Sequence, residues 1–485
     1  MSNVFKGLKP EKLWSYFYEI CQVPRPSKKE EKISAYIQGV AKKLKLECLV
    51  DETGNILIRK PATKGYEKSP TVVLQSHIDM VCEKNNDTKH NFDKDPIVPR
   101  IDGEWVKATG TTLGADDGIG IATQLAILDS SDIAHGPLEM LFTVDEETGL
   151  TGAFGLKPGF LKGNILLNLD SEDEGELFIG CAGGQDTRIE IKYKTETSDM
   201  AMDAMEIKVT GLKGGHSGDD INKGLGNAVK IINRLLWNLF NDYKIRLSKL
   251  EGGNLRNAIA REASAIIVFD KKFKNEISQA VKSFCISMQD DLKITEPELK
   301  ITGKSVSTPK TVIDLPTQKK ILNALYACPH GVIKMSAAMA NFVETSTNLA
   351  SVKMKDGAFQ IGTSQRSSSD FGKKDVVDMV ESVFKLTGGK IMHDDGYPGW
   401  LPNPNSPILD TTRAAYKKLF KKEPKVLAIH AGLECGLIGE TYPQMDMISY
   451  GPTIKGAHSP DERLEIKTVQ MFWDLTLEVL KNIPR

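Results

Sequence analysis

The strongest constraint on the fold comes from short segments that are apolar at nearly every position and that alternate with helical patterns. Such segments occupy 72–75, 140–144 and 165–169, and a helical pattern over 117–128 separates the first from the second. A strand that is apolar at successive positions is buried on both faces, which is typical of a parallel sheet covered by helices. The sequence therefore predicts an α/β fold with a mainly parallel sheet.

A different pattern fills the middle of the chain. The segment 205–209 alternates apolar and polar residues, which indicates a sheet with one face in water. Two further alternating runs within 345–366 meet at Asp356-Gly357, a hairpin signal. The order of strands and helices in this region favours two similar β-α-β units in tandem, of the ferredoxin-like kind.

Fully apolar strand segments return near the end of the chain, at 426–429 and 445–449. We therefore expect one α/β domain built from residues 1–185 and 398–485, with an α+β domain, 186–397, inserted into it. After the Pro24-Arg25-Pro26 break, Ser27 and Glu30 form a capping-box signature for a helix over 28–45.

Charge and cysteine content narrow the classes of partner. The 485 residues carry a formal net charge of -1 at pH 7, so no overall field attracts nucleic acid or an anionic membrane. We find neither a bilayer-spanning apolar stretch nor an apolar signal core, so a cytoplasmic location is expected. The seven cysteines are scattered without a C-x-x-C pair. Any metal would therefore be held by histidines and carboxylates.

Polar side chains that can bind metal follow the predicted strands. In an open α/β sheet, functional sites form beyond the carboxyl ends of the strands. The candidates are His77, Asp79, Asp116, Asp117, Glu146, Glu147, Asp170 and His458. Each alone is more often a hydrogen-bonded structural residue or a helix cap. Their accumulation at one predicted edge indicates a metal site.

This mixture of donors suits a pair of zinc-like ions. A zinc ion takes about four N, O or S ligands, and two ions that share a site need a bridging carboxylate and a bridging water. The water needs a base, and Glu146, adjacent to Glu147, is suitably placed to accept its proton. Asp79 can hydrogen-bond the ring of His77 and fix its orientation.

Seven segments of the chain resemble the M20 family of zinc peptidases and, within it, most closely the bacterial aminoacyl-histidine dipeptidases. They follow the family's order over most of the chain. The segments are SHIDMVCEK, TLGADDGIGIA, TVDEETGLTGA, LNLDSEDEGELFIGCAGG, GLKGGHSGDDINKG, GGNLRNAIAR and GPTIKGAHSPDERL. The resemblance implies a metallopeptidase that cleaves dipeptides, either aminoacyl-histidine or a broader range.

By position, the resemblance implies two Zn²⁺ per subunit, with Co²⁺ or Mn²⁺ as alternatives. His77 and Asp170 would complete one metal site, His458 and Glu147 the other, and Asp116 would bridge them. Glu146 would deprotonate the bridging water, which attacks as hydroxide, and would later protonate the leaving amine. Asp79 would orient His77. The family often has a cis peptide after the bridging aspartate, here Asp116-Asp117.

The resemblance also assigns the inserted domain as a lid and dimerisation domain of a homodimer, with the dipeptide entering between the two domains. His216 would stabilise the oxyanion, Asn257 would contact the substrate, and Arg366 would grip its C-terminal carboxylate. The plainer alternatives are that His216 and Asn257 order turns and that Arg366 forms a surface ion pair.

Other functions stay open on the sequence alone. One alternative is a deacylase or aminoacylase on the same scaffold. Another is a non-catalytic metal or peptide binder, which predicts loss of the base or of a ligand, yet all the matched positions are filled. A Rossmann-type dinucleotide enzyme is disfavoured, because no G-x-G-x-x-G follows the first strand.

Overall fold

The computed structural model describes residues 4–483, which form two compact units. The first unit contains residues 4–180, 402–428 and 433–483. The second contains Cys181–Leu401 and Ile429–Gly432. Helices α1–α12 and strands β1–β23 are numbered along the chain.

An eight-stranded sheet forms the framework of the first unit. Its strands are β1 (Glu47–Val50), β2 (Ile56–Lys60), β3 (Val72–His77), β6 (Leu138–Thr143), β7 (Ile165–Asn168), β8 (Glu176–Cys181), β20 (Lys425–Ile429) and β21 (Asp446–Ser449). They lie in the order β1-β2-β6-β3-β7-β21-β8-β20. A smaller sheet has the order β22-β23-β5-β4, with β4 (Pro99–Asp102), β5 (Trp105–Ala108), β22 (Ile454–Lys455) and β23 (Arg463–Glu465).

The large sheet is parallel only in its middle. Strands β6, β3, β7 and β21 are mutually parallel, whereas β1 and β2 at one edge and β8 beyond β21 pair antiparallel. All six residues of β3 and of β6 are buried, as continuous apolar strands predict. The predicted parallel sheet is therefore correct for the strands that carry the candidate site, and the sheet as a whole is mixed.

Eight helices belong to the first unit. They are α1 (Glu11–Cys21), α2 (Glu31–Lys43), α3 (Ala115–Leu128), α4 (Glu146–Gly149), α5 (Thr151–Gly155), α10 (Pro407–Phe420), α11 (Glu434–Thr441) and α12 (Ile466–Asn482). Almost every side chain of α3 is buried, because its sequence offers no polar stripe after Asp117. The last helix, α12, buries only one face, which includes Val469, Phe472 and Val479.

The capping-box prediction for the second helix is wrong. Its N-cap is Glu30, and no side chain caps the helix. Ser27 instead donates its hydroxyl hydrogen to Asp79, and Glu30 accepts hydrogen bonds from the backbone N–H groups of Lys28 and Asp145. These two residues are recruited by long-range partners, which a local signature cannot reveal.

A nine-stranded antiparallel sheet forms the framework of the second unit. Its strands are β9 (Gly183–Lys192), β11 (Asp203–Thr210), β12 (Arg246–Gly252), β13 (Ala263–Phe269), β14 (Lys300–Val306), β16 (Gly331–Met335), β17 (Val343–Lys355), β18 (Ala358–Ser367) and β19 (Lys390–His393). The order is β14-β11-β13-β12-β17-β18-β9-β19, and β16 pairs with β17. Strands β10 (Thr195–Thr197) and β15 (Thr311–Ile313) form a separate pair.

Four α-helices and one 3-10 turn, Lys271–Phe273, complete the second unit. The helices are α6 (Ala228–Tyr243), α7 (Lys274–Asp291), α8 (Leu315–Ala327) and α9 (Asp370–Lys385). A single apolar core joins them to the sheet, including Leu236, Ile267, Ile321 and Phe359. The predicted hairpin is confirmed: β17 and β18 meet at Asp356-Gly357, whose φ angles of 54° and 74° suit a tight two-residue turn.

The strand order reveals two ferredoxin-like motifs in one sheet. The series β11-α6-β12-β13-α7-β14 has the spatial order β14-β11-β13-β12. Strands β9, β17, β18 and β19, with α8 and α9, repeat that arrangement, because β19-β9-β18-β17 is the same order. The first motif lies within the crossover from β9 to α8. The motifs are therefore nested, and the tandem arrangement expected from the sequence is wrong. Among the described residues, no helix has the length and apolar character needed to cross a bilayer.

Candidate active site

Three parallel strands deliver functional side chains to one edge of the large sheet. The register pairs His77 at the end of β3 with Thr143 at the end of β6, and Gln75 with Asn168 at the end of β7. Because the strands are parallel and in register, the residues that follow them emerge on the same rim. This places Glu146, Glu147 and Asp170 beside His77.

Asp116 lies between two imidazole rings. Its Oδ1 is 3.0 Å from His77 Nε2, and its Oδ2 is 3.2 Å from His458 Nε2. Asp170 Oδ1 also approaches His77 Nε2, at 3.4 Å, and Glu147 Oε2 approaches His458 Nε2, at 3.1 Å. The result is two groups of one histidine and one carboxylate that share Asp116. The five residues proposed as metal ligands from the sequence therefore lie together.

The backbone at Asp116 departs from helical geometry although α3 includes it. Asp116 has φ −79° and ψ 113°, and the Asp116-Asp117 peptide is cis, as the family resemblance implied. The Asp116 carboxylate lies at the start of the helix and faces both histidines.

Asp79 connects His77 with the loop that follows β6. Its Oδ1 lies 3.2 Å from His77 Nδ1, and its two oxygens accept the backbone N–H groups of Glu146 and Glu147 at 3.0 and 3.2 Å. Ser27 donates a further hydrogen bond at 2.7 Å. Although burial alone would raise it, the pKa of Asp79 falls to about 2, mainly because of the hydrogen bond to His77. Asp79 is thus an anion that orients the ring.

Glu146 has the opposite electrostatic character. Burial raises its pKa well above the ordinary value for glutamate; His77 opposes this shift, and the negative charges of Asp170 and Glu147 add to it. Burial likewise raises the pKa of Asp170 to about 6. Glu146 is therefore a carboxylate that binds a proton readily, which is the property required of a general base that later acts as an acid.

The donor set fits divalent cations. Glu147 Oε1 is buried and has no hydrogen-bond partner among the described residues. Hydrogen bonds to Asp116 and Glu147 raise the pKa of His458 to about 11, which shows how strongly the cluster favours positive charge at this position. Ligand atoms of His77, Asp116 and Asp170, and those of Asp116, Glu147 and His458, lie within 4.8 Å of one another in each group. Imidazole and carboxylate are suitable ligands for zinc and also for cobalt or manganese.

The three predicted substrate residues belong to the second unit. Arg366 in β18 is only 8% exposed, forms no ion pair with any described residue, and donates from one terminal nitrogen to the Tyr397 hydroxyl at 3.2 Å. Its Nε has no partner among the described residues. A buried guanidinium without an acidic partner is suited to bind an anionic ligand. The alternative of a surface ion pair is therefore wrong for Arg366.

His216 and Asn257 lie on neighbouring strand-like segments. His216 bridges to Ala258, and the backbone N–H of Ser217 donates to the Asn257 carbonyl at 2.8 Å. His216 Nδ1 is 3.2 Å from Asp219 Oδ2, whereas Asn257 is exposed. These contacts order the turn. This is the structural role that the sequence left open for His216 and Asn257.

Sequence reasoning missed several residues that support the site. Glu462 accepts hydrogen bonds from backbone N–H groups of the loop before Asp116, and Arg25 donates to carbonyls of the same region. Tyr397 is hydrogen-bonded to Arg366. Glu462 lies within the last matching segment, four residues after His458, and only that proximity could have drawn attention to it.

Known proteins resemble this chain over almost its whole length. The sequence profile of "Peptidase family M20/M25/M40" matches residues 73–482. The chain is 46% identical over 477 residues to the cytosol non-specific dipeptidase of Escherichia coli K12, covering 98% of both chains. The crystal structure of aminoacylhistidine dipeptidase from Vibrio alginolyticus superposes with a TM-score of 0.94 at 44% identity, covering 99% of this chain and 98% of the other. Aminopeptidase PepT from Bacillus cereus shares the fold, with a TM-score of 0.59 at 17% identity, covering 99% of this chain and all of the other.

Proposed function

The chain belongs to peptidase family M20/M25/M40, and from that premise we propose that it is a dipeptidase that works with two divalent cations. Two relatives that match almost the whole chain at more than 40% identity are dipeptidases by name. One is called a non-specific dipeptidase and the other an aminoacylhistidine dipeptidase. We propose a broad dipeptide range that includes aminoacyl-histidine substrates.

The observation that carries the proposal is the placement of Asp116, with one carboxylate oxygen facing each imidazole. We propose that His77 and Asp170 hold one cation, that His458 and Glu147 hold the other, and that Asp116 is shared. Zinc is the proposed ion, with cobalt or manganese able to replace it. Bound there, the cations would supply Lewis-acid polarisation of a carbonyl oxygen and acidification of a water.

Glu146 is the proposed proton carrier. Its carboxylate accepts a proton from the water that attacks the peptide carbonyl carbon, and it then gives that proton to the departing nitrogen. The C–N bond breaks and releases two amino acids, one with a newly formed carboxylate and the other with a newly formed amine. The raised pKa of Glu146, which burial causes, suits both transfers. Asp79 keeps His77 in place during these steps.

Residues of the second unit are proposed to recognise the substrate. Arg366 pairs with the C-terminal carboxylate of the dipeptide, since a guanidinium binds a carboxylate through two parallel hydrogen bonds. His216 stabilises the negative oxygen that develops during attack, and Asn257 contacts the substrate backbone. As part of the same proposal, residues 186–397 act as a lid and dimerisation domain, and the enzyme is a cytoplasmic homodimer.

A combined metal and substrate experiment tests the function. We expect metal analysis to find two equivalents of cation per chain, and removal by a chelator to abolish hydrolysis of Ala-His and Ala-Ala. Zn²⁺, Co²⁺ or Mn²⁺ should restore it. N-acetyl amino acids should remain intact. Faster cleavage of the N-acetyl compounds would support a deacylase, and metal binding with no turnover of any substrate would support a non-catalytic binder.

The proton-carrier role is tested by Glu146→Gln. Loss of the base should lower kcat by about 100-fold or more, while the bound metal stays at two equivalents. Glu104→Gln, which changes an exposed glutamate of the first unit, is the matched control and should keep normal turnover. A Glu146→Gln enzyme with full kcat would eliminate this mechanism.

A further inference from the structure

One buried carboxylate binds a row of backbone N–H groups at the start of α3. Glu462 is 2% exposed. Its Oε2 accepts from Leu113 and Gly114 at 2.7 and 2.9 Å, and its Oε1 accepts from Ala115 at 2.7 Å and lies 3.4 Å from the Asp116 nitrogen. The four peptide nitrogens of Leu113–Asp116 therefore all face this single side chain.

The start of α3 needs such a partner. The first N–H groups of a helix have no acceptor within the helix. The N-cap here is Gly114, in the left-handed region at φ 68°, which has no side chain to cap the helix. Glu462 supplies the missing acceptor, and its negative charge lies at the positive end of the helix dipole. It comes from a segment 346 to 349 residues further along the chain.

A buried cation holds the same loop through the Gly114 carbonyl and ties it to the segment after β3. Arg25 is 3% exposed and donates to the carbonyl oxygens of Gly114, Asp79 and Ile78; the last two bonds measure 2.5 and 3.2 Å. Arg25 makes no ion pair with a described residue, Glu462 included. A Cβ at position 114 would lie 2.6 Å from an Arg25 nitrogen, so only glycine fits there.

Gly114 is thus held at its N–H by an anion and at its carbonyl by a cation. Glu462 accepts from the N–H groups of this loop, whereas Arg25 donates to one carbonyl of the loop and to the carbonyls of Ile78 and Asp79, so neither charge compensates the other. Burying an ionised group is costly unless its hydrogen-bonding capacity is used. Both side chains use that capacity on backbone groups around the start of α3.

We propose that Arg25 and Glu462 are positioning residues that clamp the Leu113–Asp116 loop and thereby fix the Asp116 carboxylate between His77 and His458. This inference rests on the proposed function, since it concerns the affinity of the site for cations. Glu462 is four residues from His458, and Arg25 also holds the carbonyl of Asp79, the partner of His77. The clamp therefore connects the supports of both histidines with the residue that they share.

Cation affinity distinguishes this role from general stabilisation. Substitution of the groups that orient metal ligands typically costs about 10–100-fold in metal affinity. In Glu462→Gln, one of the two acceptor oxygens is replaced by an NH₂ group that faces backbone N–H donors. The loop therefore loses one of the two oxygen atoms that accept its hydrogen bonds. We expect zinc competition with a chromophoric chelator to show at least about a tenfold loss of affinity for one of the two ions, and the Co²⁺ absorption spectrum to change.

Glu296→Gln is the matched control. Glu296 is 1% exposed, belongs to the second unit, and accepts the backbone N–H groups of Lys213 and Gly226 at 2.8 and 2.9 Å. It is therefore a buried carboxylate of the same kind, remote in sequence from every proposed ligand. Both variants should lower Tm, but Glu296→Gln should bind both cations with unchanged affinity. Equal loss of affinity in both variants would overturn the clamp.

Arg25→Lys provides a second variant in case Glu462→Gln does not fold. Lysine keeps the positive charge but lacks the planar fork that reaches three carbonyl groups, so we expect a weaker loss in the same direction. Circular dichroism shows whether each variant is folded. A folded variant of either kind with the cation affinity of the wild type would refute the proposal. If the wild-type enzyme bound no cation, the proposed function would fail. If the wild type bound two cations and the variants bound them equally tightly, only the clamp would be wrong.

Discussion

At the scale of single residues, the molecule uses buried charges whose partners are mostly peptide groups or other members of the site. Asp79 accepts two backbone N–H groups and faces His77. Arg366 has no acidic partner among the described residues and touches only the Tyr397 hydroxyl through its side-chain nitrogens. An unpaired buried cation costs free energy in the free protein. That cost is recovered when an anion binds, which is why we assign Arg366 to the substrate carboxylate.

The hydroxyl of Tyr397 should contribute to carboxylate recognition. It accepts from Arg366, so its own hydrogen is available to an anion bound at the same guanidinium. We expect Tyr397→Phe to raise KM for a dipeptide by about tenfold, the range for a hydrogen bond to a charged group, with a smaller change in kcat. The same variant should lose little with a dipeptide amide, which lacks the carboxylate.

Tyr326→Phe is the control for that measurement. Tyr326 belongs to the same unit, is 45% exposed, and packs with its ring tilted against Trp237, so loss of its hydroxyl should leave KM unchanged. An equal rise in KM for the dipeptide and its amide in Tyr397→Phe would show that the hydroxyl does not act on the carboxylate.

At the scale of elements, a ladder of buried polar side chains crosses the parallel strands just before the site. Asn168 on β7 donates to Gln75 on β3 at 2.6 Å, and Gln75 donates to Glu434 at 2.6 Å. Thr143 on β6 also donates to Glu434, at 2.7 Å, and Ser449 on β21 donates to Asn168. In this polar ladder, Gln75 and Thr143 donate directly to the Glu434 carboxylate, and Ser449 and Asn168 donate along the row that leads to it. Hydrogen bonds that run in one direction therefore connect the four strand ends.

Breaking the polar ladder should destabilise the first unit. In Asn168→Leu, the Gln75 carbonyl loses its donor and the Ser449 hydroxyl loses its acceptor. Two buried unsatisfied groups cost roughly 2–5 kcal/mol together, which urea unfolding would detect as a lower midpoint. The conservative Leu166→Met on the same buried strand should cost less than about 1.5 kcal/mol. Stability of Asn168→Leu within that smaller range would mean that the polar ladder is energetically unimportant.

At the scale of the whole molecule, the two units have different frameworks. The first has a sheet with a parallel middle, and the second has two nested ferredoxin-like motifs. His430 belongs to the second unit, is 6% exposed, and lies 2.7 Å from the Ser346 hydroxyl through Nε2. Burial, assisted by the positive charge of Arg366, lowers the pKa of His430 to about 3.

The second unit should therefore lose stability as the pH falls. The unfolded chain takes up a proton on this histidine below about pH 6.5, whereas the folded chain does so only near pH 3, so protons favour unfolding across that window. The upper limit of the effect is roughly 5 kcal/mol. Urea midpoints measured between pH 7 and pH 4 should fall more steeply for the wild type than for His430→Gln. Parallel curves would show that His430 is not the responsible group.

Local patterns in the sequence were sufficient to predict several strands, one hairpin and the polar residues that follow the strands. The continuous apolar runs predicted β3, β6 and β7, and the Asp356-Gly357 signal predicted the β17–β18 hairpin. The family resemblance seen in seven segments is confirmed by the profile match over residues 73–482. These successes have one physical cause: periodicity reports which faces of a segment are buried, and turn residues report backbone conformations that few side chains allow.

Only the tertiary structure decided which distant groups meet. Ser27 looked like a helix cap and instead binds Asp79, and Glu462 reaches a loop more than 300 residues earlier in the chain. The nesting of one ferredoxin-like motif within another likewise depends on pairings between β9 and the strands near residue 360. Hydrogen-bond partners of buried polar groups are chosen by packing across the fold, and no local pattern encodes a contact made at that separation.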